Sequence, residues 1–168
     1  MTVDVPKGHR PSFRLEDFFA GRTRALGLFV DRFGKVRRQF RVTVDGTWDG
    51  DLLTLVEDFV YDDGETERRV WSVRPDGAHG YVGEADGVVG TATGTASGNA
   101  VNWRYAFDLR MKTRRLRVRF DDWMYRQDDR VMINRARVTK WGILLGEALI
   151  FFSREPDACS AGLSVAAE

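Results

Sequence analysis

Two acidic residues, Glu57 and Asp122, fall among apolar side chains of the sequence. Successive side chains of a strand alternate between two faces, so Asp122 shares a face with Phe120. Glu57 in the same way shares a face with Leu55 and Phe59. A carboxylate in apolar surroundings has a raised pKa and can serve as a general acid or base. The pattern therefore indicates two interior carboxyl groups with the chemistry of proton transfer.

An enzyme built on these groups would use Glu57 and Asp122 as a pair, with Tyr105 as a proton donor beside them. Such a site suits an isomerase, hydratase or cyclase acting on an apolar substrate. The sequence carries no further catalytic signature, so we favour an interior without catalytic residues.

Arg69 and Asn134 fall on the same inner faces as the two carboxylates. Buried charges are costly unless they are paired, so these groups could form a structural network that fixes strand register. They could equally orient the polar end of an apolar ligand, because ligand pockets are mostly apolar with few polar groups. The second interpretation predicts binding of a fatty-acyl or similar small apolar molecule. Its predicted ligand-binding residues are Leu55, Glu57, Phe59, Arg69, Trp71, Tyr105, Phe120, Asp122 and Asn134.

The segment 90–99 alternates small residues with polar ones. Glycine in a strand marks a bend or the close approach of something bulky. The bulk can be a ligand, for which this bare wall would provide room, or facing aromatic side chains. In the second case the protein would be an interaction module with a filled core. The small residues are Gly90, Ala92, Gly94, Ala96 and Gly98, and the polar ones are Thr91, Thr93, Thr95, Ser97 and Asn99.

These residues lie on strand-like runs separated by short turns. The runs are 23–31, 36–45, 52–61, 66–74, 80–85, 89–97, 101–110, 116–124, 131–139 and 144–153. Connections this short join antiparallel neighbours, and closure of a long meander removes its exposed edges. We therefore predict an all-β antiparallel meander barrel of about ten strands, with a two-sheet sandwich as the alternative. A short helix at 13–20, capped by Ser12 and ended by Gly21, precedes the strands.

Side-chain parity divides each strand into an inner and an outer face. The turn around Asp62, Asp63 and Gly64 decides one such pairing. A three-residue loop with Gly64 in the left-handed conformation puts Glu57 and Arg69 on one face, whereas a two-residue loop would pair Asp58 with Arg69. We favour the three-residue loop. Further inner-face residues are Phe40, Val42, Val44, Trp103, Phe107, Leu109, Leu116, Val118, Met124, Met132, Ala136 and Val138.

Composition excludes several classes of protein. The 168 residues include 43% hydrophobic and 30% charged residues with a net charge of +1, which indicates one globular domain and argues against nucleic-acid binding. His9 and His79 fall outside any metal-binding spacing, so no metal site is predicted. No glycine-rich phosphate loop or other cofactor motif is present, so no cofactor is expected.

We expect a single domain at 12–155 with flexible tails at 1–11 and 156–168. No apolar run is long enough to span a bilayer, and the N-terminal segment has no signal-like apolar stretch. The protein is therefore expected in the cytoplasm. The single cysteine, Cys159, can form no intrachain disulfide, and the sequence leaves its role and the oligomeric state open.

Several blocks of the sequence resemble a bacterial family of uncharacterised proteins, many of whose members are described as lipoproteins. The likeness extends from Phe18 to Phe152. The first block is Gly46-Thr47-Trp48, Glu57-Asp58-Phe59, Asp63-Gly64 and Arg69-x-Trp71. The second is Tyr81-x-Gly83-x-Ala85-Asp86, Val89-Gly90, Gly98-Asn99 and Trp103-x-Tyr105. The third is Phe120-Asp121-Asp122-Trp123-Met124-Tyr125, Asp129-Arg130 and Asn134-Arg135.

The resemblance implies a compact lipocalin-like, or calycin-like, β-barrel with no established activity. Family members often occur near lipid-modifying enzymes, which favours a lipid partner. This chain has no lipobox cysteine near its start, since Cys159 lies at the other end. Lipid anchoring is therefore not carried over from the resemblance.

Overall fold

The computed structural model describes residues 12–156, which form a short helix followed by ten antiparallel strands. Each strand pairs with its neighbours in the chain, and β1 also pairs with β10, which closes the barrel. The predicted antiparallel barrel is confirmed, and the two-sheet alternative is wrong. The elements are α1 (Leu15–Phe19), β1 (Gly21–Asp31), β2 (Val36–Trp48), β3 (Leu53–Tyr61), β4 (Thr66–Asp76), β5 (Gly80–Ala85), β6 (Val88–Ser97), β7 (Ala100–Arg110), β8 (Arg115–Arg126), β9 (Val131–Lys140) and β10 (Ile143–Arg154).

The predicted tails lie outside the described residues, apart from Pro156, as do His9 and Cys159. Within residues 12–156, none of the helical structure is long and apolar enough to cross a membrane.

Burial alternates along the strands as side-chain parity predicts. On β9, Met132, Asn134 and Ala136 are buried, whereas Ile133 and Arg135 between them are exposed. None of the predicted inner-face residues is exposed to bulk solvent.

The β3–β4 turn has the three-residue form. The Tyr61 backbone N–H donates to the Glu65 carbonyl at 2.9 Å, and the Gly64 N–H donates to the Tyr61 carbonyl at 3.0 Å. Gly64 has φ +83°, which a residue with a side chain rarely adopts. Glu57 consequently pairs with Arg69 across the two strands, as expected.

The helix is shorter than predicted, and its predicted cap is wrong. It begins after Arg14, with no side-chain hydrogen bond at the cap. Phe13 stays outside the helix because its N–H donates to the Gly98 carbonyl and its ring is buried. The Ser12 carbonyl instead accepts a hydrogen bond from Arg126 at 3.1 Å. The helix ends at Phe19, and Gly21 already belongs to β1.

The helix closes one end of the barrel. Glu16 is buried there, and its carboxylate accepts hydrogen bonds from the Tyr81 hydroxyl at 2.8 Å and from Arg14. Burial raises the pKa of Glu16, but the hydrogen bonds from the backbone, Tyr81 and Arg14 outweigh it, so the net pKa is lowered. Phe19 contacts Phe152 edge to face at 5.8 Å. We call the opposite end, where β1–β2, β3–β4, β5–β6, β7–β8 and β9–β10 turn, the mouth.

Trp103 occupies the space that the small residues of β6 leave open. A Cβ atom built on Gly94 would lie 2.5 Å from the Trp103 ring, and one on Gly83 of β5 would lie 2.8 Å from it. Of the predicted bare wall, Ala92, Gly94 and Ala96 face inward, and Val88 at the start of β6 also packs against the core. The bare wall thus accommodates a tryptophan and is not free space for a ligand.

The predicted ends of the bare wall are wrong. Gly90 is exposed at an irregularity between Val89 and Thr93, where its φ is +70°, and Gly98 is exposed in the β6–β7 turn with φ +57°. Alternation fails at both positions because the local backbone leaves the regular pleat.

The substitution Gly94→Ala tests this packing. The added methyl group must displace Trp103, so we expect a loss of about 1–3 kcal/mol in the free energy of unfolding, measured by chemical denaturation. Thr93→Ala, on the outer face of the same strand, is the control and should change stability by less than about 0.5 kcal/mol. Equal stabilities of Gly94→Ala and the control would show that Trp103 does not fill this space.

Candidate ligand-binding cavity

The barrel encloses a cavity of about 870 Å³. Leu15 and Phe19 of α1 line it at the closed end, and Arg37 and Met111 line it at the mouth. This volume lies within the range of about 300–1,000 Å³ that is usual for small-molecule sites. The filled-core interpretation depended on an interior without such a cavity, so the structure gives it no support.

All nine residues of the predicted ligand-binding set line this cavity, and their role in binding stays a prediction. They are Leu55, Glu57, Phe59, Arg69, Trp71, Tyr105, Phe120, Asp122 and Asn134.

Aromatic rings form much of the cavity wall. Tyr105 stacks on Phe120 with centroids 4.9 Å apart and meets Trp71 edge to face at 5.2 Å. Trp71 in turn contacts Trp103 at 5.6 Å. These contacts fix the ring orientations, because edge-to-face and offset-stacked pairs are favoured geometries. The part of the wall that these rings form is therefore apolar.

Arg69 is the interior cation. Its guanidinium forms a salt bridge with Glu67 at 2.7 Å and lies over the rings of Phe107 at 4.5 Å and Phe59 at 5.3 Å. Its side chain is only 14% exposed. Among the described residues, the Nε–H has no hydrogen-bond partner. Arg69 therefore lines a largely apolar cavity and keeps one buried donor, Nε–H, without a partner.

Glu57 lies opposite Arg69 in the strand register, yet the two do not form a salt bridge within the described chain. Burial raises the pKa of Glu57 to about 7, although the Arg69 charge and the Trp71 side chain act in the opposite direction. At neutral pH the Glu57 carboxyl is thus partly protonated and can donate as well as accept a hydrogen bond.

Asp122 lies on the wall formed by β8 and β9. Asn134 donates from its side-chain amide to the Asp122 carboxylate and, at 3.2 Å, to the Trp123 carbonyl. Burial raises the pKa of Asp122 to about 7, the Asn134 hydrogen bond lowers it, and the negative charge of Glu57 raises it again. Glu57 and Asp122 therefore line the same cavity from facing walls of the barrel, as parity predicts.

Tyr105 lies among these charged groups. Burial raises its pKa strongly, the charge of Asp122 adds to this, and Arg69 acts in the opposite direction. Tyr105 stays protonated at any physiological pH. Its hydroxyl is a neutral hydrogen-bonding group at the centre of the polar cluster.

Sequence reasoning placed Tyr61 on the inner face and missed Glu67 and Arg38, two further polar residues among those that line the cavity. The Tyr61 hydroxyl donates to Glu67 at 3.0 Å, and the Arg38 guanidinium lies 3.5 Å from the centre of the Tyr61 ring. The signal was present, because Glu67 has the parity of Arg69 and Arg38 has the parity of Phe40. Both residues were missed because the alternation of inner and outer side chains was not extended to the ends of the strands.

Residues 12–156 contain no group of three or more His, Cys, Asp or Glu side chains arranged to hold a metal ion.

Residues 1–154 match the family described as "Protein of unknown function (DUF3833)". The chain belongs to this family. Among solved structures, the barrel of the DUF3833 chain is similar to an S-type phycobiliprotein lyase, CPES, from Guillardia theta, with a TM-score of 0.63 and 11% sequence identity. The match covers 86% of this chain and 94% of the lyase, and it shows a similar barrel fold alone. No curated protein matches the DUF3833 chain at a significant level.

The titration of the interior carboxyl groups tests the geometry of the cavity. We expect the carboxyl ¹³C resonances of Glu57 and Asp122 to titrate with midpoints near 7. The substitution Glu57→Gln should lower the midpoint of Asp122, because it removes a nearby negative charge.

The pH dependence of stability follows from the same shifts. Both pKa values are raised in the folded protein, so the folded state binds more protons than the unfolded chain between their ordinary values and about 7. Their contribution to stability is present at low pH and lost as the pH rises through about 7. Denaturation of Glu57→Gln and Asp122→Asn should show a flatter pH dependence there. Asp58→Asn, on the outer face, is the control. Midpoints near 4 for both carboxyls would place them in bulk water.

Proposed function

We propose that this protein binds a fatty-acyl or other small apolar molecule in the barrel interior. The observation that supports the proposal is an aromatic-lined cavity of about 870 Å³ with the buried cation Arg69 in its wall. A polar group in an apolar cavity gives a ligand its orientation, while the apolar wall supplies most of the binding energy.

The positions of the polar groups favour one orientation of an acyl ligand. Arg69, Glu57 and Asp122 lie around the middle of the barrel, while the apolar side chains of Leu15, Phe19 and Phe152 line the cavity at the closed end. The polar end of the ligand would lie beside Arg69, with its tail toward the closed end. The Arg69 guanidinium could then donate to a carboxylate, a bond that is stronger when charge-assisted.

A direct test measures fatty-acid binding by calorimetry on solvent-delipidated protein. We expect palmitate to bind and Ala148→Phe, which fills the cavity, to weaken binding about tenfold or more. Ala106→Phe, which adds the same ring on the outer face of β7, is the matched control and should bind as the wild type does. Native mass spectrometry of undelipidated protein identifies the molecule that copurifies.

The proposed orientation is tested in the same assay with Arg69→Lys. Lysine keeps the charge but lacks the planar fork, so affinity for palmitate should fall while affinity for hexadecanol stays unchanged. Absence of any copurifying molecule, together with no binding of palmitate or hexadecanol, would refute ligand carriage.

A second candidate function is catalysis, favoured by the two carboxyl groups with pKa values about 7 beside Tyr105. A pKa near the working pH suits a general acid or base. The similar solved structure is named a phycobiliprotein lyase, so a lyase is built on a barrel of this type. At 11% identity this supports the scaffold and not a shared substrate.

Recovery of the bound molecule separates the two candidates. Under the binding proposal, mass spectrometry should find the molecule unchanged after incubation with the wild type. Conversion by the wild type, retained in Asp58→Asn and lost in Glu57→Gln and Asp122→Asn, would assign catalysis instead.

A further inference from the structure

The mouth of the barrel has two unlike sides. Around the closed sheet, the β1–β2, β9–β10 and β7–β8 turns are consecutive. Each of these three turns exposes at least one large apolar side chain: Phe33 is 78% exposed, Trp141 87%, Ile143 53% and Met111 49%. We call these three turns, residues 32–35, 110–115 and 140–143, the basic arc.

Cations accompany every apolar side chain of the basic arc. The Arg32 guanidinium lies 4.7 Å from the centre of the Phe33 ring, and the Lys140 Nζ lies 4.5 Å from the centre of the Trp141 ring. The seven cations of the arc have no carboxylate partner among the described residues. They are Arg32, Lys35, Arg110, Lys112, Arg114, Arg115 and Lys140.

The other two turns of the mouth are acidic. The β3–β4 turn contains Asp62, Asp63 and Glu65, and the β5–β6 turn contains Asp86. The charges are therefore separated across the mouth, with exposed aromatic rings only on the positive side of the described rim. A uniform solvated rim would mix the two signs.

Trp141 is unusual in its backbone as well as in its exposure. Its φ is +51°, and it is the single residue other than glycine with a positive φ in the described chain. A two-residue turn of this kind favours Asn or Gly, because a bulky side chain is strained there. Its ring contacts Lys140 but packs on no core residue. Folding of the barrel thus gives no reason for a tryptophan at this position.

We propose that the basic arc docks the mouth of the barrel on a membrane that contains anionic lipid. Tryptophan and phenylalanine partition into the interfacial region of a bilayer, and unpaired Lys and Arg side chains are attracted to its negative surface. The acidic turns lie on the other side of the mouth and would tilt away from that surface. Docking needs no occupied cavity, so it does not depend on the proposed function. If both hold, the cavity faces the layer that contains its ligand.

The test is flotation of the full chain with vesicles of phosphatidylcholine alone or mixed with phosphatidylglycerol. The wild type should bind the mixed vesicles, and added salt should weaken binding. The double variant Phe33→Ser/Trp141→Asn should lose about tenfold or more in partitioning. Lys35→Glu/Lys112→Glu should lose binding to the mixed vesicles in the same way.

The matched control removes apolar side chains from the barrel wall. Leu26 is 61% exposed and Phe151 is 49% exposed, and they pair across β1 and β10, away from the mouth. Leu26→Ser/Phe151→Ser should bind vesicles as the wild type does. Loss of binding in this control but not in the arc variants would overturn the proposal, as would equal binding to both kinds of vesicle or to neither.

The cavity variant keeps the two proposals separate. Ala148→Phe should bind vesicles normally even where it no longer binds palmitate. Light scattering tests another explanation of the arc, namely contact with a second protein molecule. If the wild type forms oligomers that the Phe33→Ser/Trp141→Asn variant abolishes, and vesicles are not bound, the arc binds a protein partner instead of a membrane.

Discussion

Closure of the sheet by the pairing of β1 with β10 is the constraint on which the rest of the structure depends. Closure gives every strand one inner and one outer face, so a single alternation decides which side chains leave water. It also brings β3–β4 and β8–β9 to opposite sides of one cavity. Glu57 and Asp122, distant in sequence, line one cavity only because the barrel is closed.

Most of the barrel could be predicted because its turns are short and its strands alternate. Gly64 is an example, since its conformation fixes the register that pairs Glu57 with Arg69. Prediction failed where tertiary contacts override local preference. Ser12 has the ideal chemistry for a helix cap, but its carbonyl accepts a hydrogen bond from Arg126, which is distant in sequence. Gly90 lies at an irregularity that parity cannot foresee.

The candidate site, like the fold, could be predicted from the sequence only in part. Which residues face the cavity follows from parity, and the neglected strand ends explain why Glu67 and Arg38 were missed. The space inside does not follow from parity, because it depends on ring orientations. Trp103 lies against Gly94 and Gly83 and so leaves the centre of the barrel open. The same small residues would also leave room for a ligand. Only the packing of the Trp103 indole decides whether a ring or a ligand occupies the space beside them.

The polar cluster itself bears on the choice between a structural network and a binding site. A network that fixes strand register is expected to satisfy its buried groups, because a partly satisfied one costs stability. The Asn134–Asp122 pair fits that description, but Arg69 keeps a donor without a protein partner and Glu57 is shifted toward its neutral form. The incomplete half lies on the wall of β3 and β4, beside the cavity. This asymmetry favours a site for a ligand over a purely structural role.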